Sequence, residues 1–110
     1  MRRDHISEYA AHAFSCYGAW RRQGCPLAEK SEAFLADMEA CRLALSILSA
    51  EQYAAVSAVY FAPIRSLRDR CAAVRYHASH GAYADERTIY RWLAFARGEF
   101  AKARGLNAEE

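Results

Sequence analysis

The sequence is poor in the residues that build β-structure. Of its 110 residues only eight are β-branched, three Val, four Ile and one Thr, whereas Ala alone contributes 24. Alanine is the best helix former and β-branched residues are among the best strand formers. This composition argues against a sandwich, a barrel or a parallel sheet and predicts an all-α fold.

Long apolar runs are also missing. No stretch approaches the ~20 apolar residues that a membrane span needs. The opening Arg2-Arg3 is followed by Asp4, His5 and Glu8, where a secretory signal would have an apolar core. We therefore expect a cytoplasmic protein with no membrane partner.

The residues that usually carry catalysis or bind metals form no recognisable motif. None of the four cysteines is two residues from another, so we expect them to behave as small core side chains. His77 and His80 are three apart and could share a helix face, but a metal site would need a further ligand from elsewhere. No Gly-rich phosphate loop or nucleophile motif is present, so we expect no enzyme activity and no cofactor.

Charge is distributed unevenly along the chain. Residues 1–61 carry six basic and seven acidic side chains, whereas residues 62–105 carry nine basic and four acidic ones, a net charge of +5. A basic half suits a polyanionic partner. The alternative is an Arg- and Ala-rich composition of the kind that a GC-rich genome encodes.

Apolar residues spaced three and four apart predict five helical segments. These run from about Asp4 to Trp20, from about Leu27 to Leu48, from Ser49 to near Phe61 before Pro63, from Ser66 to Gly81, and from Asp85 to Gly105. Ser49 and Gln52 are spaced as a capping box, and Asp85 is a strong N-cap. We expect residues 1–110 to form a single domain, a five-helix bundle with a helical hairpin at 1–48 followed by a helix-turn-helix module at 49–106.

The fifth segment has two contrasting faces. One is apolar at steps of four, three and four and is predicted to be buried: Ile89, Leu93, Ala96 and Phe100. The opposite face has two arginines near the helix start, two small residues in the middle and a lysine further on: Arg87, Arg91, Ala94, Gly98 and Lys102. A helix of this kind fits the DNA major groove, where arginine donates to O6 and N7 of guanine, although it also fits the solvated face of an Arg-rich protein.

The residues of this segment resemble a known recognition helix. The run from Asp85 to Leu93, followed by Ala96-Arg97, resembles that of helix-turn-helix proteins, and residues 44–52 with Val59-Tyr60-Phe61 resemble the approach to region 4 of sigma factors. The chain is similar to small phage and prophage transcriptional regulators of the RinA/ArpU type, most clearly over residues 44–106. It departs from their pattern in having Tyr83 where a glycine usually precedes the cap, with Gly81 further upstream.

This resemblance implies a sequence-specific regulator of transcription that binds double-stranded DNA and suggests contact with RNA polymerase. Arg87 and Arg91 would read base edges. Contacts to the DNA backbone would come from Thr88, Tyr90, Arg97, Lys102, Arg104, Arg68 and Arg75, with Arg65 and Arg70 as further candidates.

Two other functions fit the same pattern, a phage DNA-packaging or assembly subunit and a helical adaptor that binds protein. A single recognition helix covers few base pairs, so regulators commonly pair two of them by two-fold symmetry. We therefore expect a homodimer, with its contact in residues 1–43. That segment is rich in the aromatic residues that dominate interfaces when buried: Tyr9, Phe14, Tyr17, Trp20 and Phe34.

Overall fold

The described part of the protein is built from five α-helices, the number that the apolar spacing predicts. The computed structural model describes residues 2–23, 31–61, 66–80 and 84–106, and within these ranges it contains no strand. The helices are α1 (Arg2–Gln23), α2 (Glu32–Ser46), α3 (Ala50–Val56), α4 (Leu67–His80) and α5 (Glu86–Arg104), and a π-helical turn (Ser57–Phe61) extends α3. The predicted all-α fold is thus confirmed, whereas Pro63 and Gly81, which we expected to end two of the helices, lie outside the described residues.

Ser49 and Ser66 start α3 and α4 at the predicted positions. The Ser49 hydroxyl accepts a hydrogen bond from the backbone N–H of Gln52 at 3.1 Å, and the Gln52 side chain accepts one from the Ser49 N–H at 2.9 Å. This is the predicted capping box, which satisfies two otherwise unpaired N–H groups. At the start of α4 the Ser66 hydroxyl likewise accepts from the N–H of Asp69 at 3.1 Å.

The predicted start of the second helix is wrong. The apolar rhythm suggested a helix from about Leu27, but α2 begins at Glu32 and spans 15 residues. Ser31 is the N-cap, and its hydroxyl accepts from the N–H of Phe34 at 3.1 Å. The cap decides the boundary because it pairs an N–H that would otherwise have no partner, and Leu27 itself lies outside the described residues.

One hydrophobic cluster draws residues from all five helices. At its centre the Phe14 ring of α1 is stacked on Tyr60, with centroids 5.8 Å apart, and lies 5.8 Å from the Phe100 ring of α5. Val56 and Val59 are buried in the cluster, whereas Tyr53 is exposed and its ring meets that of Phe61 edge-on. These contacts bring α1, the π-helical turn and α5 together.

Close packing between α1 and the π-helical turn depends on Gly18. A Cβ at this position would lie 2.8 Å from the Cα of Phe61, closer than two carbon atoms can approach without displacement. One helical turn further on, Arg22 donates from Nη1 to the carbonyl oxygen of Phe61. Gly18 and Arg22 thus fix the end of the π-helical turn against α1.

The fifth helix lies against each of the other four α-helices. It packs on α1, α2, α3 and α4, and its contact with α2 is more extensive than the contact between α1 and α2. The helices expected to form a hairpin at 1–48 therefore share their core with α5. Because these helices cover the other sides of α5, a single side of it faces the solvent.

Candidate nucleic-acid interface

Both ends of α5 are closed by local interactions. Oδ1 of Asp85 accepts from the N–H of Thr88 at 2.9 Å, and this hydrogen bond holds the pKa of the Asp85 carboxyl below its usual value. At the other end Gly105 has φ of 85°, and its N–H donates to the carbonyl groups of Ala101 and Lys102. A left-handed residue of this kind is the common C-terminal glycine cap, so both predicted ends of α5 are confirmed.

The rotation of α5 is set by its apolar face. The four residues predicted to face the core are all buried: Ile89, Leu93, Ala96 and Phe100. The residues on the opposite side are all exposed: Arg87, Arg91, Ala94, Gly98 and Lys102. We refer to these five as the outer face of α5, and its orientation follows from burial of the opposite side.

Arg87 and Arg91 lie together at the first turns of this outer face. Arg91 donates from Nη2 to Oγ1 of Thr88 at 3.3 Å. Arg87 has no hydrogen bond or ion pair with a described residue, although both guanidinium groups are near enough to lower the pKa of Asp85, after the larger effect of Thr88. Their donors are therefore available at the N-terminal end of an exposed helix face.

The middle of the outer face is shallow. Ala94 and Gly98 are exposed, and a Cβ added at Gly98 would meet nothing within 4 Å. Small residues allow another molecule to approach the helix backbone closely. Further along, the Nζ of Lys102 lies 3.0 Å from Oε2 of Glu99, with the lysine side chain largely exposed.

Two of the predicted backbone-contacting arginines are bound within the protein. Arg97 is half-buried and donates from Nη1 to the Tyr60 hydroxyl at 2.7 Å. Arg104 donates from Nε to Oδ1 of Asp37 at 2.7 Å, a contact that raises the pKa of the guanidinium. The structure therefore separates Arg97 and Arg104 from the outer face and places them where α5 meets its neighbours.

Arg70 and Arg75 of α4 lie near the flank of α5. Arg68 and Arg75 are exposed and Arg70 is half-buried, whereas Arg65 lies outside the described residues. A hydrogen bond with Cys71, followed by burial, raises the pKa of Tyr90 to about 12, and Arg75 acts in the opposite direction. Arg75 of α4 is thus close to Tyr90 on the flank of α5.

The sequence did not predict the contacts or the exposure of several residues around α5. Asp37 and Tyr60 anchor α5, yet they are 67 and 37 residues away from their arginine partners. Phe95 and Ile47 are large apolar side chains left 44% and 56% exposed. Helical periodicity describes one segment at a time, so it carries no signal for contacts between distant segments.

His80, one of the two residues considered for metal binding, has other contacts. The His80 ring is stacked on Tyr76 at 4.0 Å, and its Nδ1 lies 3.0 Å from the Tyr76 carbonyl oxygen. Burial raises the pKa of the Cys41 thiol, which is packed in the core as predicted. Cys16 and Cys71 are only half-buried, and Cys25 lies outside the described residues. Among the described residues, no group of three or more His, Cys, Asp or Glu side chains is arranged to hold a metal ion.

No helix in the described ranges is both long enough and apolar enough to span a bilayer. The chain matches no family model. Comparison with curated proteins and with solved structures likewise finds no match. Any inference about function therefore depends on the sequence and structure of this chain itself.

Proposed function

We propose that the protein is a sequence-specific, DNA-binding regulator of transcription that places the outer face of α5 in the major groove. The observation that carries this proposal is the order of side-chain types along that face. Two exposed arginines precede two small residues and a lysine, on a helix fixed at both ends. An α-helix with its side chains is roughly 10–12 Å across, and the major groove, about 12 Å wide, admits it.

Each part of the outer face has a distinct role in this proposal. Arg87 and Arg91 donate to base edges, for which a guanidinium paired with guanine is the commonest specific contact. Ala94 and Gly98 allow the helix to sit deep in the groove. Lys102 reaches a phosphate at the groove edge, where contacts position the protein without reading sequence.

The flanks of the helix add contacts to the DNA backbone. In this proposal Thr88 and Tyr90 on α5, Arg75 near Tyr90 on α4, and the exposed Arg68 on α4 supply donors for phosphates. Arg97 and Arg104, which also suit phosphates by charge, instead hold α5 in place through one donor each. The excess positive charge of residues 62–105 supports binding to a polyanion.

The biological setting in this proposal comes from the resemblance in residues 44–106. It makes the protein a phage or prophage regulator that acts in the bacterial cytoplasm, with RNA polymerase as a second partner. Selection of random DNA duplexes by the full chain tests the proposal. Recovery of one shared sequence supports it, and recovery of unrelated sequences contradicts it.

We also propose a homodimer, because two recognition helices would cover an adequate site. The aromatic residues expected at its interface mostly serve the core instead: Phe14 and Tyr17 are buried, and Trp20 meets Phe34 edge-on at 6.3 Å. Apolar residues remain exposed on and beside α2, namely Leu35, Leu43 and Ile47. Light scattering at micromolar concentration tests the dimer, and a mass near 12 kDa would contradict it.

A helical adaptor that binds protein is the second candidate function. Exposed apolar side chains at Leu43, Ile47 and Phe95 favour it, because such residues are typical of protein contacts when they cluster. The two functions predict different binding results at low salt. A DNA-binding protein retains affinity for any duplex under that condition. Absence of binding to any duplex at low salt would favour the adaptor.

A further inference from the structure

A groove of about 520 Å³ lies between the C-terminal end of α1, α3 and the π-helical turn. Its lining combines the aromatic rings of Tyr53 and Phe61 with small residues such as Gly18 and Ala58. Tyr53 is 40% exposed and Phe61 is half-buried, so both residues keep part of their surface in contact with solvent. The volume lies within the range of about 300–1,000 Å³ that is usual for small-molecule sites.

The two accessible rings of the groove form a corner. The centroids of Tyr53 and Phe61 are 6.1 Å apart, and their planes are inclined at 85°. A flat ring system that stacks on the face of one ring therefore meets the other ring edge-on, and both arrangements are favourable between aromatic groups. Every nucleobase has a π-face that can stack in this way. We refer to Tyr53 and Phe61 as the aromatic corner.

Two arginines are fixed beside this corner. Arg21 donates from Nη1 to the Tyr17 hydroxyl at 3.0 Å, and its guanidinium carbon lies 5.7 Å from the centre of the Tyr17 ring. Arg22 donates from Nη1 to the carbonyl oxygen of Phe61. Because the Tyr17 and Phe61 rings are 5.9 Å apart, both guanidinium groups are held next to the same pair of residues.

The charge of these arginines is not balanced within the groove. Neither Arg21 nor Arg22 forms an ion pair with a described residue, and the described residues that line the groove include no Asp or Glu. A guanidinium has five N–H donors, so most donors of each arginine remain available after the contacts above. Arginine pairs with phosphate oxygens through two parallel hydrogen bonds. The groove therefore offers an anion site next to the aromatic corner.

The π-helical turn connects this groove to the core. Three of its residues, Ser57, Ala58 and Phe61, line the groove. The other two, Val59 and Tyr60, are buried in the hydrophobic cluster. Turns of this kind are rare and are frequently found at functional sites, which supports a binding role for the surface that it lines.

We propose that this groove binds a nucleoside monophosphate, with its base in the aromatic corner and its phosphate on Arg21 and Arg22. Proteins that bind a single strand have a positively charged groove that follows the backbone, with aromatic side chains for successive bases. Here two cations lie beside one aromatic corner, which fits one nucleotide. None of the described lining residues belongs to α5, so the site does not depend on whether the outer face of α5 binds DNA.

Adenosine monophosphate is a suitable probe, because adenosine lacks its phosphate and ribose 5-phosphate lacks its base. Amide NMR shifts of the isotope-labelled full chain should saturate at Tyr53, Ser57 and Phe61 during titration with adenosine monophosphate. Adenosine and ribose 5-phosphate should each bind at least fivefold more weakly. Absence of saturable shifts at these residues, or equal binding of either control compound, would overturn the proposal. Tighter binding of a short oligoadenylate, compared per nucleotide, would also overturn it and assign the groove to a single strand.

Substitutions locate the two halves of the site. Tyr53→Leu and Arg21→Gln should each weaken binding of adenosine monophosphate at least fivefold, whereas Tyr53→Phe, which keeps the aromatic face, should bind as the parent does. The matched controls are Tyr76→Leu, at another exposed tyrosine, and Arg42→Gln, at an exposed arginine of α2, and both should leave binding unchanged. If Arg21→Gln disturbs folding, Tyr53→Leu decides the matter because Tyr53 is exposed. Parent-like binding by Tyr53→Leu would contradict the site.

Discussion

Arg104 at the end of α5 donates to Asp37 on α2 at 2.7 Å, across 67 residues of sequence. The same carboxylate accepts from the Tyr9 hydroxyl of α1, at 2.9 Å to Oδ1 and 3.0 Å to Oδ2. Asp37 is thus the point at which three helices are joined. Its side chain is 18% exposed, so solvent screens this contact less than a surface pair.

Replacing Asp37 should loosen the junction of these helices. Asp37→Asn removes the charge that Arg104 faces and should lower the Tm by about 5 °C, measured by circular dichroism. Glu39→Gln is the matched control, because Glu39 forms an exposed pair with Arg42 on the same helix and such pairs contribute little. Equal melting of the two variants would show that the Asp37 junction does not stabilise the bundle.

The two faces of α5 predict opposite responses to the same substitution. Leu93→Asp or Ile89→Asp would place an unpaired charge in the core and should cost several kcal/mol, enough to unfold the protein or a large part of it. Ala94→Asp, at the exposed position next to Leu93, should reduce stability only by the roughly 0.5 kcal/mol of lower helix propensity. Thermal melts compare them, and similar losses at positions 93 and 94 would mean that α5 is rotated differently.

Two helical glycines should also respond differently to alanine. Gly18→Ala would force a methyl group against the Phe61 backbone and should destabilise the protein by about 1–3 kcal/mol. Gly98→Ala meets nothing within 4 Å and should stabilise α5 by roughly 0.5–1 kcal/mol. Urea unfolding measures both, and a stabilised Gly18→Ala variant would contradict the close packing of α1 on Phe61.

The raised pKa of Tyr90 should make stability depend on alkaline pH. The folded protein holds the Tyr90 proton up to a pKa of about 12, whereas an unfolded tyrosine loses it near 10. The protonated hydroxyl therefore stabilises the fold fully below pH ~10, and this contribution is lost as the pH rises towards 12. Urea unfolding of the parent and of Tyr90→Phe should differ by a constant amount below pH ~10, and the difference should shrink above it.

Local signals in the sequence were sufficient for α5. Asp85 and Gly105 mark its ends, and the spacing from Ile89 to Phe100 sets its buried face, because both depend on residues within a few turns. The rhythm from Leu27 was misleading for α2, where the Ser31 cap determined the start. Apolar spacing can continue beyond the residue at which a cap ends the helix. Helix boundaries are therefore less predictable from the sequence than helix faces.

The contacts that hold the candidate interface in place could not be predicted in the same way. Arg97 and Arg104 look like surface cations in the sequence, yet Tyr60 and Asp37 hold them at the joints of the bundle. Gly18 looks like any helical glycine until Phe61 is placed against it. These relationships arise from the packing of distant segments, for which a single sequence gives no periodic signal.

The most direct test of the proposed function is the affinity of Arg87→Ala and Arg91→Ala for a DNA site selected by the parent protein. Fluorescence anisotropy at fixed salt should show each variant weakened by ~1–3 kcal/mol, the range for a lost bidentate base contact. Melting curves should be unchanged because both side chains are exposed, and Arg42→Ala on α2 should bind as the parent does. If both α5 variants bind the selected site as tightly as the parent, the outer face of α5 does not read DNA.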